Sequence, residues 1–432
     1  MSSVLKLAGV TKAYGTLNAL DGIDLSLPND SYVSLLGPSG SGKTTLLRVI
    51  AGFEQPDLGT VIFKGQRIET VPPHRRDIGF VFQNFALFPH LSVSRNIAFG
   101  LENRAENSVT DPDIVQVRVK EMIALVGLSG LEDRGVGQIS GGQRQRVALA
   151  RTLVTEPSLV LLDEPLGALD ANLRARMRSE LRLIRERCGV TFLHVTGSES
   201  EALAMGDMVL VLDSGRIAQA ADADTIYNRP KSLSVASFLN CYNLFEGRLA
   251  GESFLSPYGA FPLGDQMQFR DDRTGYAIRY DRVAIRPAEV PAADDEVRLE
   301  ATFVADEYSG AAINSFFSLD DGRVFEVESH LSQSMPPACT PQSRYTLVWK
   351  RRDALVYALY SYRIARDGRL IDVDKCHNSR DRNHRGTGQE GIQQDALAVG
   401  AGRHLDVAFS GNTHPDDDLR VLLDADDVQD HA

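Results

Sequence analysis

No run of about 18 apolar residues occurs in this chain of 432 residues, so no bilayer-crossing helix is expected. The opening stretch, MSSVLKLAGVTKAYG, lacks a long apolar core, so no secretory signal is expected either. Cysteine is scarce. Cys188, Cys241, Cys339 and Cys376 lie far apart and form no CxxC pair, which speaks against metal or redox chemistry and reads as reduced cytosolic thiols. Positive charge is also short: 46 Lys and Arg stand against 58 Asp and Glu, a net of −12. A strongly basic nucleic-acid binder is therefore not expected, and nucleic acid is not among the partners read from the sequence.

What is present is ordinary globular composition, 43% apolar and 24% charged, in a length that suits two or three domains. Over 1–237, short apolar runs alternate with helical stretches. Segments 33–36 and 158–163 are short and apolar, as buried parallel strands tend to be. Segments 44–51 and 143–153 read as helices, the first ending at Gly52, a good C-cap. The expectation is an α/β domain with a mostly parallel sheet and a helical subdomain over about 85–135. Over 241–365 the pattern changes to alternating segments, such as 276–280 and 323–327, parted by Gly, Pro and Asp turns. That predicts a small all-β domain. The segment 366–432 is polar and acidic and predicts a largely disordered tail, with one apolar stretch, 419–428, able to add a strand. Five of the nine histidines lie in this tail without ligand spacing and read as solvated.

Gly37-Pro38-Ser39-Gly40-Ser41-Gly42-Lys43-Thr44-Thr45 fits GxxxxGK[ST], with a strand before it and a helix after it. The glycines let backbone N–H groups wrap a phosphate, and the following helix adds its positive end. Lys43 reaches the β and γ phosphates, and the Thr44 hydroxyl is a hard oxygen ligand for Mg²⁺. The motif gives nucleoside triphosphate binding but not what the nucleotide drives. Asp163 and Glu164 end the apolar run 159–162, at the strand edge where such sheets bind ligands. Alternation sends them to opposite faces, so they have different tasks. Asp163 fits Mg²⁺ coordination, and Glu164 fits the base that orients or deprotonates the attacking water.

Ser140-Gly141-Gly142-Gln143 opens a second helix, with Ser140 as its N-cap. By itself this is either a plain capped helix or another anion site. One nucleotide could use both helix starts only if they face each other across an interface.

Together with Leu162-Asp163-Glu164-Pro165 and Ala168-Leu169-Asp170, these motifs resemble the ATP-binding subunits of ABC transporters. The resemblance covers residues 4 to about 237. Segments 72–79 and 85–90 are similar to the importer subunits for polyamines, ferric iron, sulfate and maltose, whose C-terminal module is a small oligomer-binding-type β domain. Residues 285–287, 308–310 and 347–349 resemble that module more weakly. The resemblance implies a head-to-tail dimer holding two ATP molecules, each between the phosphate loop of one copy and 140–143 of the other. It implies that Tyr14 stacks on adenine and that Gln83 contacts Mg²⁺ or the attacking water and senses the membrane subunit. It further implies two integral membrane permease subunits, an extracytoplasmic solute-binding protein, and a peripheral position on the cytoplasmic face of the membrane. The β module is expected to serve dimerisation, with sensing a regulator or binding a small anion as alternatives.

One position departs from the resemblance. Where the family has a histidine after its next strand, this chain has Gly197, and His194, three residues earlier, falls on the other face. Losing one positioned contact to the γ-phosphate costs on the order of 10²–10³ in rate. The expectation is an ATPase energising an importer, slowed at Gly197 or served by a substitute partner, with polyamines as the solute and ferric iron next. An ATP-gated regulatory subunit with little turnover is the alternative. A soluble ATPase acting on DNA or ribosomes is disfavoured, because the interval from Gly42 to Ser140 is short and lacks sustained heptads, and only one ATPase domain is present.

Overall fold

The computed structural model describes residues 3–103, 108–109, 111–167, 171–263, 273–287, 293–333, 335–359, 362–364 and 370–372. The segments 168–170 and 419–428, both singled out above, lie outside the described residues.

The apolar runs of the first half become a six-stranded sheet. Its order is Arg216–Ala221, Met208–Asp213, Tyr32–Leu36, Thr191–Thr196, Leu159–Asp163, Ile78–Val81. All neighbours are parallel except the first pair. The strands Tyr32–Leu36 and Thr191–Thr196 are buried at every position, because both faces are covered. Leu159 and Leu161 enter one core with Leu46, Leu47 and Ile50 of the helix Lys43–Ala51. Val160 and Leu162 enter the opposite core with the helices Val93–Glu102, Pro112–Leu125 and Gly141–Leu153. A four-stranded antiparallel sheet, begun by Ser3–Tyr14 and Leu17–Pro28, closes over the first core.

The register fixes where the chemistry can sit. Leu36 pairs with Thr196, Asp163 with Val195, and Val81 with Leu162. Four strands therefore end along one edge, and the loops bearing 37–42, Gln83, Glu164 and Gly197 all leave from it.

Among the described residues from Tyr242 on, single 3-10 turns aside, the regular structure is β: two five-stranded antiparallel sheets lie around one aromatic core. In that core Trp349 donates its indole N–H to the Tyr276 hydroxyl at 2.6 Å. The alternation expected over 276–280 implies one covered face, yet Thr274–Arg279 is buried throughout. Tyr276 and Ile278 face the aromatic core, whereas Ala277 joins Leu36, Val209, Val235 and Tyr357 in a separate cluster. That cluster welds the six-stranded sheet to the β region through the helices Ala223–Asn228 and Leu233–Phe238. A side chain at Gly275 would sit 2.9 Å from Leu233, so the second face is closed as well. The strands Tyr362–Ile364 and Leu370–Asp372 pair in a further small sheet, so strand structure extends past 366.

Candidate active site

The loop 37–45 is shaped by backbone as much as by side chains. Gly42 has φ 104 and caps the helix Lys43–Ala51. An added Cβ there would lie 2.2 Å from the Ala19 carbonyl oxygen, and at Gly37 one would lie 2.1 Å from that of Leu212. Both glycines are required by close approach, and Gly42 also by its left-handed backbone. Lys43 is buried and donates to the Gly37 and Pro38 carbonyls, each at 2.8 Å. Burial lowers its pKa, against the pull of Glu164 and Asp163. The Ser41 hydroxyl is buried with no hydrogen-bond partner. Ser39, Gly40 and Thr44 are exposed, and Pro38 and Thr45 are half-buried. A cradle with an orphaned hydroxyl and a cation turned onto its own carbonyls fits an incoming polyphosphate.

Across the sheet edge, Asp163 ends its strand half-buried. Burial raises its pKa, Glu164 adds to that, and Arg48 and Lys43 oppose it. The opposite-face expectation for this pair needs adjusting. Glu164 is not a strand residue: its φ is 44, its N–H donates to Val195 O at 3.0 Å, and the chain turns sharply there. The turn presents the Glu164 carboxylate to Gln83, whose amide donates to Oε2 at 2.9 Å. Lys43, Asp163, Glu164 and Gln83 thus form one cluster.

Tyr14 ends the strand Ser3–Tyr14, is 45% exposed, and has the Lys12 ammonium 5.6 Å from its ring centroid. Its hairpin leads into the strand whose Ala19 carbonyl walls Gly42. The structure does not bring Ser140, Gly141, Gly142 and Gln143 into this cluster. Ser140 and Gln143 cap each other: Ser140 N–H donates to Gln143 Oε1 at 2.8 Å, and Gln143 N–H to Ser140 Oγ at 3.3 Å. Among the described residues, no hydrogen bond or ion pair joins this segment to 37–45.

The strand Thr191–Thr196 shows why His194 is no substitute for a histidine at 197. It is fully buried, its Nδ1 shares a 3.0 Å hydrogen bond with the Tyr32 hydroxyl, and burial lowers its pKa to about 3. Gly197 is exposed, and a Cβ built on it meets nothing within 4 Å.

Two arginines escaped the sequence reading. Arg76 is buried and donates to the carbonyls of Val49 and Ile50, each at 2.9 Å, satisfying the last turn of the phosphate-loop helix. Arg151 holds two carbonyls just beyond Gln83. A basic residue in the last turn of its helix was the only available signal.

The ABC transporter family profile matches residues 20–167. The spermidine/putrescine import ATP-binding protein of Clostridium novyi (strain NT) is 40% identical over 310 residues, 71% of this chain and 86% of the relative. Its namesake from Clostridioides difficile (strain 630) is 45% identical over 247 residues, 57% of this chain and 70% of the relative. A solved ATP-binding cassette of an ABC transporter superposes with a TM-score of 0.50 at 27% identity, over 55% of this chain and 99% of that one. A phosphate cradle, a carboxylate beside a bonded glutamine, and relatives matched over most of their length lead to one conclusion: this chain belongs to the family of ABC importer ATP-binding subunits.

Proposed function

We propose that this chain hydrolyses ATP to power the uptake of polyamines, spermidine or putrescine, through a binding-protein-dependent importer. The observation that carries hydrolysis is the 2.9 Å bond between Gln83 and Glu164, set on the same sheet edge as the phosphate loop. The names of the two clostridial relatives support the solute.

In this reading the N–H groups of 37–45 wrap the phosphates, and Lys43 exchanges its two loop carbonyls for the β and γ oxygens. Glu164 accepts the proton of the attacking water, and Gln83 holds that water and the carboxylate in register. Tyr14 stacks on the adenine. The Thr44 hydroxyl, the Asp163 carboxylate and the Gln83 amide oxygen are the hard donors that would hold Mg²⁺, which would neutralise charge on the phosphates. The segment 140–143 is exposed at Ser140 and self-capped, so it serves the ATP of a second copy, head to tail. ATP then favours the closed dimer, hydrolysis releases it, and that difference in affinity moves two permease subunits between inward- and outward-facing states. No helix among the described residues is long and apolar enough to cross a membrane. The chain sits in this reading as a peripheral subunit on the cytoplasmic face.

The test is Mg·ATP turnover beside Lys43→Ala. Turnover at the level of that blank overturns the hydrolytic reading and favours an ATP-gated clamp, the second reading, which the glycine at 197 in place of a histidine motivates. Uptake in vesicles holding the assembled importer, supplied in turn with spermidine, putrescine and ferric ion, decides the solute.

A further inference from the structure

The segment that follows the strand Ile78–Val81 is held in an unfavourable shape. Phe85 and Ala86, neither a glycine, have φ of 64 and 45 in succession. Such strain persists only where the surroundings enforce it. Here Arg151 enforces it: Nη2 donates to Phe85 O at 2.9 Å and Nη1 to Ala86 O at 2.7 Å. Its guanidinium also lies 5.4 Å from the Phe88 ring centroid. Among the described residues, no carboxylate comes within ion-pair distance of Arg151, so these carbonyls are its main partners. Farther along, buried Asn96 takes Phe88 N–H at 2.9 Å and donates to Phe88 O at 3.1 Å. The segment is thus tied at its start to the sheet and at its end to the helical layer.

Arg151 lies in the last turn of the helix Gly141–Leu153, whose N-cap is Ser140. Val147, Ala148, Leu149 and Ala150 are buried, so this helix is packed into the core along its length. At 1.5 Å per residue its two ends are about 18 Å apart. A cavity of about 320 Å³ separates its first turn, at Arg144, from Gln83, Asn84, Phe85 and Leu87. The Gln83 loop therefore has room to shift, and Arg151 is the grip by which the helix would shift it.

We propose that Arg151 is a positioning residue: it couples displacement of the 140–143 helix to the placement of Gln83 on Glu164. This rests on the hydrolytic reading above. A copy whose 140–143 segment engages a nucleotide would carry its own Gln83 with it, so that capture at one site sets the catalytic geometry of the other.

The test uses the full chain with Arg151→Met and Arg151→Lys, each alone and combined with Gln83→Ala. Arg151→Met is expected to lower kcat at least ~10-fold with KM for ATP nearly unchanged. Arg151→Lys keeps the charge without the fork and is expected to fall between the two. In the Gln83→Ala background either change should cost nothing more, because Arg151 acts through Gln83. Amide exchange over 83–88 should speed up in Arg151→Met while the strand 159–163 stays protected. Equal losses in both backgrounds, or unchanged exchange over 83–88, overturn the proposal. If Gln83→Ala already sits at the Lys43→Ala blank, exchange alone decides. If the wild type itself sits at that blank, the hydrolytic reading fails, and exchange still tests the grip. Should Arg151→Met not fold, Arg151→Lys supplies the same measurements.

Discussion

The chain carries two glycine-rich helix starts, and they are built in opposite ways. At 37–45 Gly37 and Gly42 are jammed against the Leu212 and Ala19 carbonyls, a lysine is buried, and a serine hydroxyl has no partner. At 140–143 Gly142 faces a side chain rather than backbone. A Cβ on Gly142 would come nearest the Leu173 side chain, at 3.2 Å, and the cap satisfies itself through Ser140 and Gln143. The first is a cradle whose buried polar groups fit a polyphosphate. The second is finished as a helix end and open to solvent at Ser140, which is the form expected of half a site completed by another molecule.

The largest test of that contrast pairs Gly42→Ala with Gly142→Ala. The first adds a Cβ into a carbonyl at a φ of 104 and should cost on the order of 3 kcal/mol and abolish ATP binding by the isolated chain. The second should cost no more than roughly 1 kcal/mol and leave that binding intact, while turnover falls because a second copy can no longer approach. Urea titration and fluorescent-ATP binding report both. Equal loss of binding in the two variants would break the comparison.

Glu164→Gln sharpens it. The amide keeps the size and a partner for Gln83 but gives up the base, so turnover should drop by roughly 10²–10³. ATP should remain bound, and size-exclusion chromatography with ATP should show a dimer that wild type forms only transiently. A monomer under those conditions argues against a site shared between copies.

Gly197→His is a smaller change in the same edge. The built Cβ meets open space, so the side chain fits without rearrangement. Turnover should rise by about 10-fold if the missing imidazole limits the rate. An unchanged rate would mean that some other group already holds the γ-phosphate.

These sites were legible because their chemistry is written in contiguous residues: a glycine loop, a cap and its glutamine, a carboxylate pair ending an apolar run. Even the element ends were close, with Leu159–Asp163 observed where 158–163 was expected and the helix over 143–153 beginning at Gly141. What was not legible acts through backbone far away. Arg76 reaches carbonyls 26 and 27 residues distant, and Arg151 reaches carbonyls 65 and 66 residues distant. A carbonyl has no residue identity, so nothing at Val49 or Phe85 announces an arginine. The left-handed turn at Glu164 was hidden for a related reason: strand alternation holds only while the strand lasts, and this one stops at Asp163. The double burial of Thr274–Arg279 depends on the helix Leu233–Phe238, which its own alternation cannot report.

The smallest effect concerns the imidazole that the strand does carry. His194 sits in the core between the Tyr32 hydroxyl at 3.0 Å and the Glu201 carboxylate at 3.9 Å, and burial lowers its pKa to about 3. An unfolded histidine titrates near 6.5, so between about 6.5 and 3 the unfolded chain binds a proton that the folded chain refuses. The stability that neutral His194 contributes is complete above that upper value and drains as pH falls below it. At pH 6 the loss should be just under about 1 kcal/mol, growing by roughly 1.4 kcal/mol per further unit. Urea midpoints at pH 7.5 and 6 would show it, with His194→Gln as the reference, since every other titrating group is common to both proteins. A shallower pH dependence in the variant is the expected result. Identical slopes would mean that the Glu201 carboxylate, 3.9 Å away, compensates the imidazolium in place.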